Sequence, residues 1–207
     1  MTAAADNGDL ANRWYERKSA LMEASLGKEH DILMHAIIPY YVGGGLDLYY
    51  YPNGLPGTAI ATKELCELPN SGPSNDVFNC YELVMFTKQK LDIDAAKGES
   101  TAFGKQHSNI NVILNLIAPY SAEAKLNPND TCEFPAEMAG VGGKCVVFDE
   151  YARHADDMVE SFGLLAIIEI FRSEMDYARR RGAARLFERL KAEGYYPYSD
   201  LDRAPVA

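Results

Sequence analysis

The residue types that most often perform chemistry form one group that could be a site. Glu150 and His154 stand four residues apart, which on a helix would place both side chains on one face. Asp149, Asp156 and Asp157 lie nearby, and carboxylates beside an imidazole are typical ligands of divalent metals. One hypothesis is therefore a metal-assisted hydrolase. The alternative is an ordinary solvated surface, because acidic residues are abundant along the whole chain.

The glycine-rich segments do not fit a phosphate-binding loop. That loop requires the pattern G-x-x-x-x-G-K-[ST], whose backbone amides surround the phosphates and whose hydroxyl group binds Mg²⁺. In the segment GVGGKC, Met138 stands at the first glycine position and Cys145 at the hydroxyl position. The glycines Gly43–Gly45 precede no predicted helix that could bind an anion at its N-terminus. We interpret both segments as turns.

The sequence contains neither a known nucleophile motif nor the residue spacing of a zinc site. The chain has no G-x-S-x-G motif. Its four cysteines, Cys66, Cys80, Cys132 and Cys145, lack the close C-x₂₋₄-C spacing of zinc sites, so we expect free thiols in a reducing cytoplasm. His35 interrupts an apolar segment and is interpreted as a core histidine. The sequence therefore predicts no catalytic residue, no metal site and no cofactor.

Charge limits the classes of partner. The 207-residue chain has a net charge of −10 and a pI near 4.9. Phosphate backbones and anionic lipids would repel such a surface, so we expect neither nucleic acid nor membrane as a partner, and a basic peptide is favoured. The sequence contains no run of about 18 apolar residues, which a membrane-spanning helix would need. The N-terminus has no signal-peptide pattern, so we expect a cytoplasmic protein.

Tyrosine is concentrated in the segments LYYYP and YYPYSDLDR, which together hold six of the thirteen tyrosines. A tyrosine side chain gives a binding surface a large contact area and a hydroxyl group at low entropic cost. We predict a partner-binding surface made of Asp47, Tyr49, Tyr51, Tyr195, Tyr196 and Tyr198. The alternative is that these tyrosines alternate between the core and the rim of the fold.

Hydrophobic periodicity predicts a helix from Leu10 to Leu26, which Gly27 would end. Strands are then predicted at Ile32–Tyr41, Leu46–Pro52, Gly57–Leu65 and Cys80–Lys88. Glycines between the first two of these strands predict a hairpin. Polar residues from Glu67 to Asn79 predict a surface loop.

In the second half of the chain, an apolar face beginning at Ile110 predicts a helix that Pro119 would close. The segments TCEF and KCVVFDEY read as short strands on either side of a glycine-rich turn. A last strand would reach Ile170 and lead into a helix capped by Ser173, and Gly194 would end the final helix.

This order predicts an α+β or mixed α/β fold: a single domain with a mixed, largely antiparallel central sheet flanked by helices. Residues 1–29 would form an N-terminal helical segment and residues 30–207 the main domain.

The C-terminal pattern resembles the closing segment of the suppressor of fused (SUFU) domain family. The matching residues are Ile170, Glu174, Met175, Ala178, Gly182, Leu186 and Leu190, in an apolar strand and the helix after it. The segments GGGLDLYYYP and YELVMFT are also similar to segments of that family. Glu169 departs from it, and we predict that its carboxylate reaches solvent or pairs with a basic side chain.

The resemblance implies a SUFU-like domain of the bacterial, stand-alone type, with no known catalysis and no cofactor. The animal member binds transcription factors by adding a peptide strand to a sheet edge, and some bacterial relatives are thought to be immunity proteins. The first hypothesis is therefore a non-catalytic protein- or peptide-binding module whose partner is a toxin or a regulator. Two alternatives remain: a metal-dependent hydrolase using Glu150 and His154, and a structural homo-oligomer.

Overall fold

The computed structural model describes residues 3–207, with side chains from residue 8 onward. The helices are α1 (Ala3–Leu26), α2 (Ala102–Glu123), α3 (Arg172–Arg181) and α4 (Ala183–Ala192). The strands are β1 (Tyr49–Tyr51), β2 (Thr58–Ala61), β3 (Cys80–Thr87), β4 (Thr131–Glu133), β5 (Cys145–Asp156) and β6 (Val159–Ile170). Short 3₁₀ turns lie at Tyr40–Val42 and Ala95–Lys97.

The six strands form one sheet in the order β1-β2-β3-β6-β5-β4. The central pair β3 and β6 is parallel, with Leu83 opposite Leu165, and the other neighbouring strands are antiparallel. The prediction of a single α+β domain with a mixed, largely antiparallel sheet flanked by helices is confirmed.

Helices cover both faces of the sheet, and this explains why every residue of β3 and nearly every residue of β6 is buried. On one face lie α1, α3 and α4, with Trp14, Met22, Met175, Leu186 and Leu190 among their core residues. The opposite face packs against α2 through Ile110, Ile113, Leu114 and Ile117. Each central strand therefore buries alternate side chains in two separate hydrophobic clusters.

A buried ion pair joins α1 to the centre of the sheet. The Lys18 Nζ atom lies 2.8 Å from Glu82 Oε1, and the side chains are only 1% and 0% exposed. Trp14, one turn earlier on α1, packs edge-on against Phe162 of β6 at 5.6 Å between ring centroids. Helix α1 thus shares the core of the main sheet, whereas the division of the chain at residue 29 stays a prediction.

The predicted strand Ile32–Tyr41 is wrong. This segment makes only isolated bridges, at Met34 and Pro39, and ends in the 3₁₀ turn. Ile37 is fully exposed, and Ile32 and Ile38 are more than half exposed, so these three apolar side chains have no layer to pack on. Strand β1 instead forms its hairpin with β2, with Tyr50 opposite Ile60.

Two predicted helix boundaries are also wrong. Helix α2 does not end at Pro119 but continues to Glu123, and it begins after Thr101, whose Oγ1 accepts a hydrogen bond of 3.0 Å from the Gly104 amide. The helix predicted to run from Ser173 through Leu190 is divided into α3 and α4 at Gly182, whose φ of 92° an L side chain rarely adopts.

The start of α3 also differs from the prediction. Phe171, rather than Ser173, precedes the first helical residue. The Phe171 amide donates to Glu174 Oε2 at 3.0 Å, so a carboxylate three residues into the helix satisfies a free backbone group. Gly27 and Gly194 follow α1 and α4 with φ of 81° and 70°, as predicted.

Replacing Lys18 with methionine should destabilise the protein by roughly 3–5 kcal/mol, because the buried Glu82 carboxylate would lose its only cation among the described residues. Arg13→Met, at an exposed position of the same helix, should change the unfolding free energy by less than about 0.5 kcal/mol. Urea unfolding of both variants measures the difference.

The double variant Lys18→Met/Glu82→Gln separates charge from packing. Glutamine keeps an acceptor for the surrounding amides but removes the unpaired charge, so the double variant should be more stable than Lys18→Met alone. An equal or lower stability would show that the ion pair is not what holds α1 on the sheet.

Candidate protein-binding site

The six residues predicted to bind a partner do not share one accessible surface in the structure. Tyr49 and Tyr51 are 6% and 1% exposed and belong to the core beneath α1. The Tyr51 hydroxyl donates to Glu29 Oε2 at 2.9 Å, and burial, together with this carboxylate, raises the pKa of Tyr51. Their role in partner binding stays a prediction, but in this structure both rings are covered.

Asp47 holds the exposed loop before β1. Its Oδ1 accepts a hydrogen bond of 2.8 Å from the Ala36 amide, and its Oδ2 lies 2.7 Å from His35 Nδ1. The interpretation of His35 as a core histidine is wrong, because its side chain is exposed beside this carboxylate.

The three C-terminal tyrosines are half-buried against the sheet. Tyr196 donates to Asp149 Oδ2 at 2.8 Å, and Tyr198 donates to the Pro56 carbonyl at 2.7 Å. Burial is the main cause that raises the pKa of both Tyr196 and Asp149. Lys88 lies 4.6 Å from the Tyr195 ring centroid. These three tyrosines are therefore partly accessible, whereas Tyr49 and Tyr51 are buried.

An extended segment can join a sheet only where backbone groups of a strand lack a partner. The outer edge of β1 is already covered by the chain before it. The His30 amide donates to the Tyr50 carbonyl at 2.8 Å, and Met34 and Leu48 exchange two backbone hydrogen bonds. This edge is closed to a partner strand.

A second position, between the diverging carboxyl ends of β3 and β6, is filled by the C-terminal segment. The Ser199 amide donates to the Phe86 carbonyl of β3 at 2.8 Å. On the other side, Ser199 Oγ accepts from the Glu169 amide of β6 at 3.1 Å. The segment therefore bridges both strands where they no longer pair with each other.

Two carboxylates fix that segment in place. Asp200 is buried and accepts hydrogen bonds of 2.9 Å from Thr87 Oγ1 and the Lys88 amide, and burial raises its pKa. Glu174 is fully buried beneath Arg203, whose Nη1 and Nη2 atoms donate at 2.6 and 2.9 Å. The slot between β3 and β6 is thus occupied by the chain itself.

The outer edge of β4 is the third position, and it is open. Phe134 donates to the Lys144 carbonyl and Phe148 to the Asp130 carbonyl, which fixes the alternation of the antiparallel ladder between β4 and β5. Thr131 and Glu133 therefore direct their backbone N–H and C=O groups away from β5. Among the described residues, these outward groups have no hydrogen-bond partner.

A groove of about 510 Å³ runs beside this open edge. Tyr120 and Lys125, at the end of α2 and just beyond it, lie on one side. Ala178 and Arg179 of α3 lie on the other side, and Arg179 Nε donates to Thr131 Oγ1 at 3.0 Å. The open edge is thus placed between two helices that cover opposite faces of the sheet.

The proposed metal ligands do not lie on a helix. Glu150 and His154 belong to β5, on either side of a register shift, so the helical spacing that suggested a shared site is wrong. Glu150 binds Arg153 at 2.7 Å, and His154 Nε2 lies 2.8 Å from Ser25 Oγ. Over residues 8–207, no three His, Cys, Asp or Glu side chains converge as a metal site would require.

Glu169 pairs with a basic side chain, as predicted. Lys144 Nζ lies 3.2 Å from its Oε1, and Asn109 Nδ2 donates to its Oε2 at 2.5 Å. The buried carboxylate therefore has a structural role: it links β6 to α2 and to the turn before β5.

The sequence did not indicate the edge of β4 as a candidate binding site. The segment TCEF was correctly predicted as a strand, but its position at the border of the sheet depends on pairings between distant residues. The available signal was its polar alternation, Thr131 and Glu133 around Cys132, which is typical of a strand with one accessible face.

Comparisons with known proteins show which known structures this fold resembles. No protein-family model and no curated protein matches the chain. The solved structures include a similar chain in the Sufu–Fu complex, with a TM-score of 0.61 and 13% identity over 95% of this chain and 92% of that one. A crystal structure of Drosophila Suppressor of Fused gives a TM-score of 0.53 and 13% identity. This chain matches it over 86% of its own length and spans about half (46%) of that protein. The fold is therefore SUFU-like.

Hydrogen exchange should distinguish the two kinds of backbone amide in β4. The Thr131 and Glu133 amides should exchange fast because they face away from β5, whereas the Cys132 amide should be protected by its pairing with Val146. Exchange measured residue by residue in the free protein tests this. Equal protection of all three amides would mean that the edge is already covered.

Asp200 should make the stability depend on pH in a defined direction. Because burial raises its pKa in the folded state, the stability that protonated Asp200 provides is lost as pH rises through that pKa. The unfolding free energy of Asp200→Asn, relative to the wild type, should therefore increase from about pH 4 to pH 7. A relative value that decreases over this range would show that Thr87 and Lys88 favour the anion over the acid.

Proposed function

We propose that this chain, a SUFU-like domain, is a non-catalytic protein-binding module that adds an extended segment of its partner to the free edge of β4. The proposal depends on which edges of the sheet the chain itself already covers. The outer edge of β1 and the slot between β3 and β6 are filled by the chain itself, whereas Thr131 and Glu133 of β4 present free backbone groups to a groove.

The structural neighbours support binding rather than a particular partner. A chain of similar fold is part of the Sufu–Fu complex, and that association is a property of that protein. For this chain, the proposed partner is a protein segment, and we extend the proposal to a toxin or a regulatory protein. A toxin gene directly upstream of this chain's gene would favour an immunity role, and its absence would favour regulation.

Self-association is a second candidate, favoured by one exposed loop. Ile37 is 101% exposed, and Ile38, Tyr41 and Val42 beside it are exposed as well. So many apolar side chains in one accessible loop are typical of an interaction surface. Light scattering over a concentration series, for the wild type and Ile37→Ser/Val42→Ser, tests this. A monomer at every concentration would contradict self-association and leave peptide binding unaffected.

Selection from a random library of linear peptides tests the β4 edge directly. Peptides enriched on the wild-type protein should bind Glu133→Pro at least roughly tenfold more weakly, because proline removes one outward donor and blocks close approach. Glu133→Gln is the matched control: it alters the same side chain but keeps the backbone N–H, and it should retain binding. Thermal unfolding of both variants checks the fold.

The outcome that would contradict the proposal is equally definite. Peptides that bind Glu133→Pro as tightly as the wild type would show that they use another surface. Failure to enrich any peptide whose binding depends on residue 133 would also contradict strand addition at β4.

A further inference from the structure

We infer that the β4 site selects a segment in which an acidic side chain stands next to a large apolar one. This inference rests on the proposed function and specifies its ligand. It comes from the two different sides of the groove, where a single cationic group is available on one side and an apolar surface on the other. It also differs from the basic peptide that the net charge of −10 favours.

A strand added to β4 presents its side chains alternately to the two sides of the groove. The residue opposite Thr131 directs its side chain to the α3 side, where Thr131 contacts Arg179. The neighbouring residue, opposite Cys132, directs its side chain to the α2 side, because Cys132 packs with the core beneath that helix. Neighbouring residues of the ligand therefore meet different chemistry, whichever direction the segment runs.

Arg179 is the cation available on the α3 side. Its Nε atom is fixed by the 3.0 Å hydrogen bond to Thr131 Oγ1. Among the described residues, its two terminal nitrogens have no hydrogen-bond partner and no carboxylate within ion-pair distance. A guanidinium group held in this way presents two parallel donors, which is the geometry that carboxylates bind best.

The other charged side chains around the groove already have partners. Lys125 binds Asp76 at 2.9 Å, and Glu133 is bound by Arg172. Asp130 Oδ2 accepts a hydrogen bond of 2.9 Å from the Asn127 amide. An acidic ligand side chain is therefore attracted by Arg179 without having to separate an existing ion pair.

The α2 side offers apolar contacts instead. Tyr120 is 51% exposed at the end of α2, although it is a large aromatic residue. Leu126 and the half-buried Cys132 add further apolar groups to the lining on this side. A large apolar or aromatic side chain placed here would bury the Tyr120 ring, and an interface with an aromatic residue at its centre is typical of binding hot spots.

The test uses the same linear peptide library, joined to the carrier through its C-terminus so that no free terminal carboxylate is present. Selection on the wild type should enrich Asp or Glu directly beside Phe, Tyr, Trp, Leu, Ile or Met. Arg179→Gln should remove the acidic preference and bind the selected peptides roughly tenfold more weakly. Arg180→Gln, at the next and exposed position of α3, is the matched control and should leave both unchanged.

A charge reversal gives a second and independent result. Arg179→Glu should enrich Lys or Arg at the position where the wild type enriches Asp or Glu. Thermal unfolding shows whether each variant is folded. If Arg179→Gln or Arg179→Glu unfolds, the other variant still tests the inference.

The outcomes separate this inference from the proposed function. Peptides that depend on residue 133 but show no acidic preference, or keep that preference in Arg179→Gln, would overturn the inference and leave strand addition intact. If no selected peptide depends on residue 133, strand addition itself fails, and this inference fails with it.

Discussion

The fully buried carboxylate of Glu82 is the group on which the arrangement of α1, the segment after β2 and the central strand β3 depends. Its oxygens accept hydrogen bonds from Lys18 Nζ at 2.8 Å, Thr62 Oγ1 at 2.6 Å and the amides of Leu65 and Cys66. Lys18 in turn donates to the Cys66 carbonyl, so that every charge in this cluster is neutralised and hydrogen-bonded. A buried ion pair of this kind adds little net stability compared with apolar residues, but losing one partner is costly, which favours one arrangement of the three elements over others.

The same physical rule operates at the C-terminus and decides where a partner can bind. Glu174 begins α3 by accepting from the Phe171 amide and also binds Arg203 and the Val206 amide. Because that carboxylate would otherwise be buried without a cation, the tail is held against the sheet, and Ser199 fills the gap between β3 and β6. With the segment before β1 covering the opposite border, Thr131 and Glu133 of β4 are left with free backbone groups beside the groove.

The sequence predicted those parts of the fold that depend on local pattern. Strand β3 was correct because a short continuous run of apolar residues is typical of a strand buried on both faces. The helical face beginning at Ile110 was correct because its apolar residues repeat with the period of a helix. The segment Ile32–Tyr41 had a strand-like composition, but pairing partners and a covering layer are properties of the whole sheet. The break at Gly182 and the continuation of α2 past Pro119 likewise reflect tertiary packing. The site was harder still, since tyrosine content indicated Tyr49 and Tyr51, whose rings the fold buries.

The short length of β4 limits what its edge can recognise. Two outward residues, Thr131 and Glu133, offer few backbone hydrogen bonds, each contributing only about 0.5–1.5 kcal/mol, so backbone pairing alone cannot give tight or selective binding. A short edge flanked by charged side chains also resists unspecific pairing with other chains. In the proposed binding mode, the flanking helices therefore supply the remaining affinity, through Arg179 and Tyr120 beside the groove. The feature that protects the edge from aggregation is thus the one that makes its recognition depend on side chains.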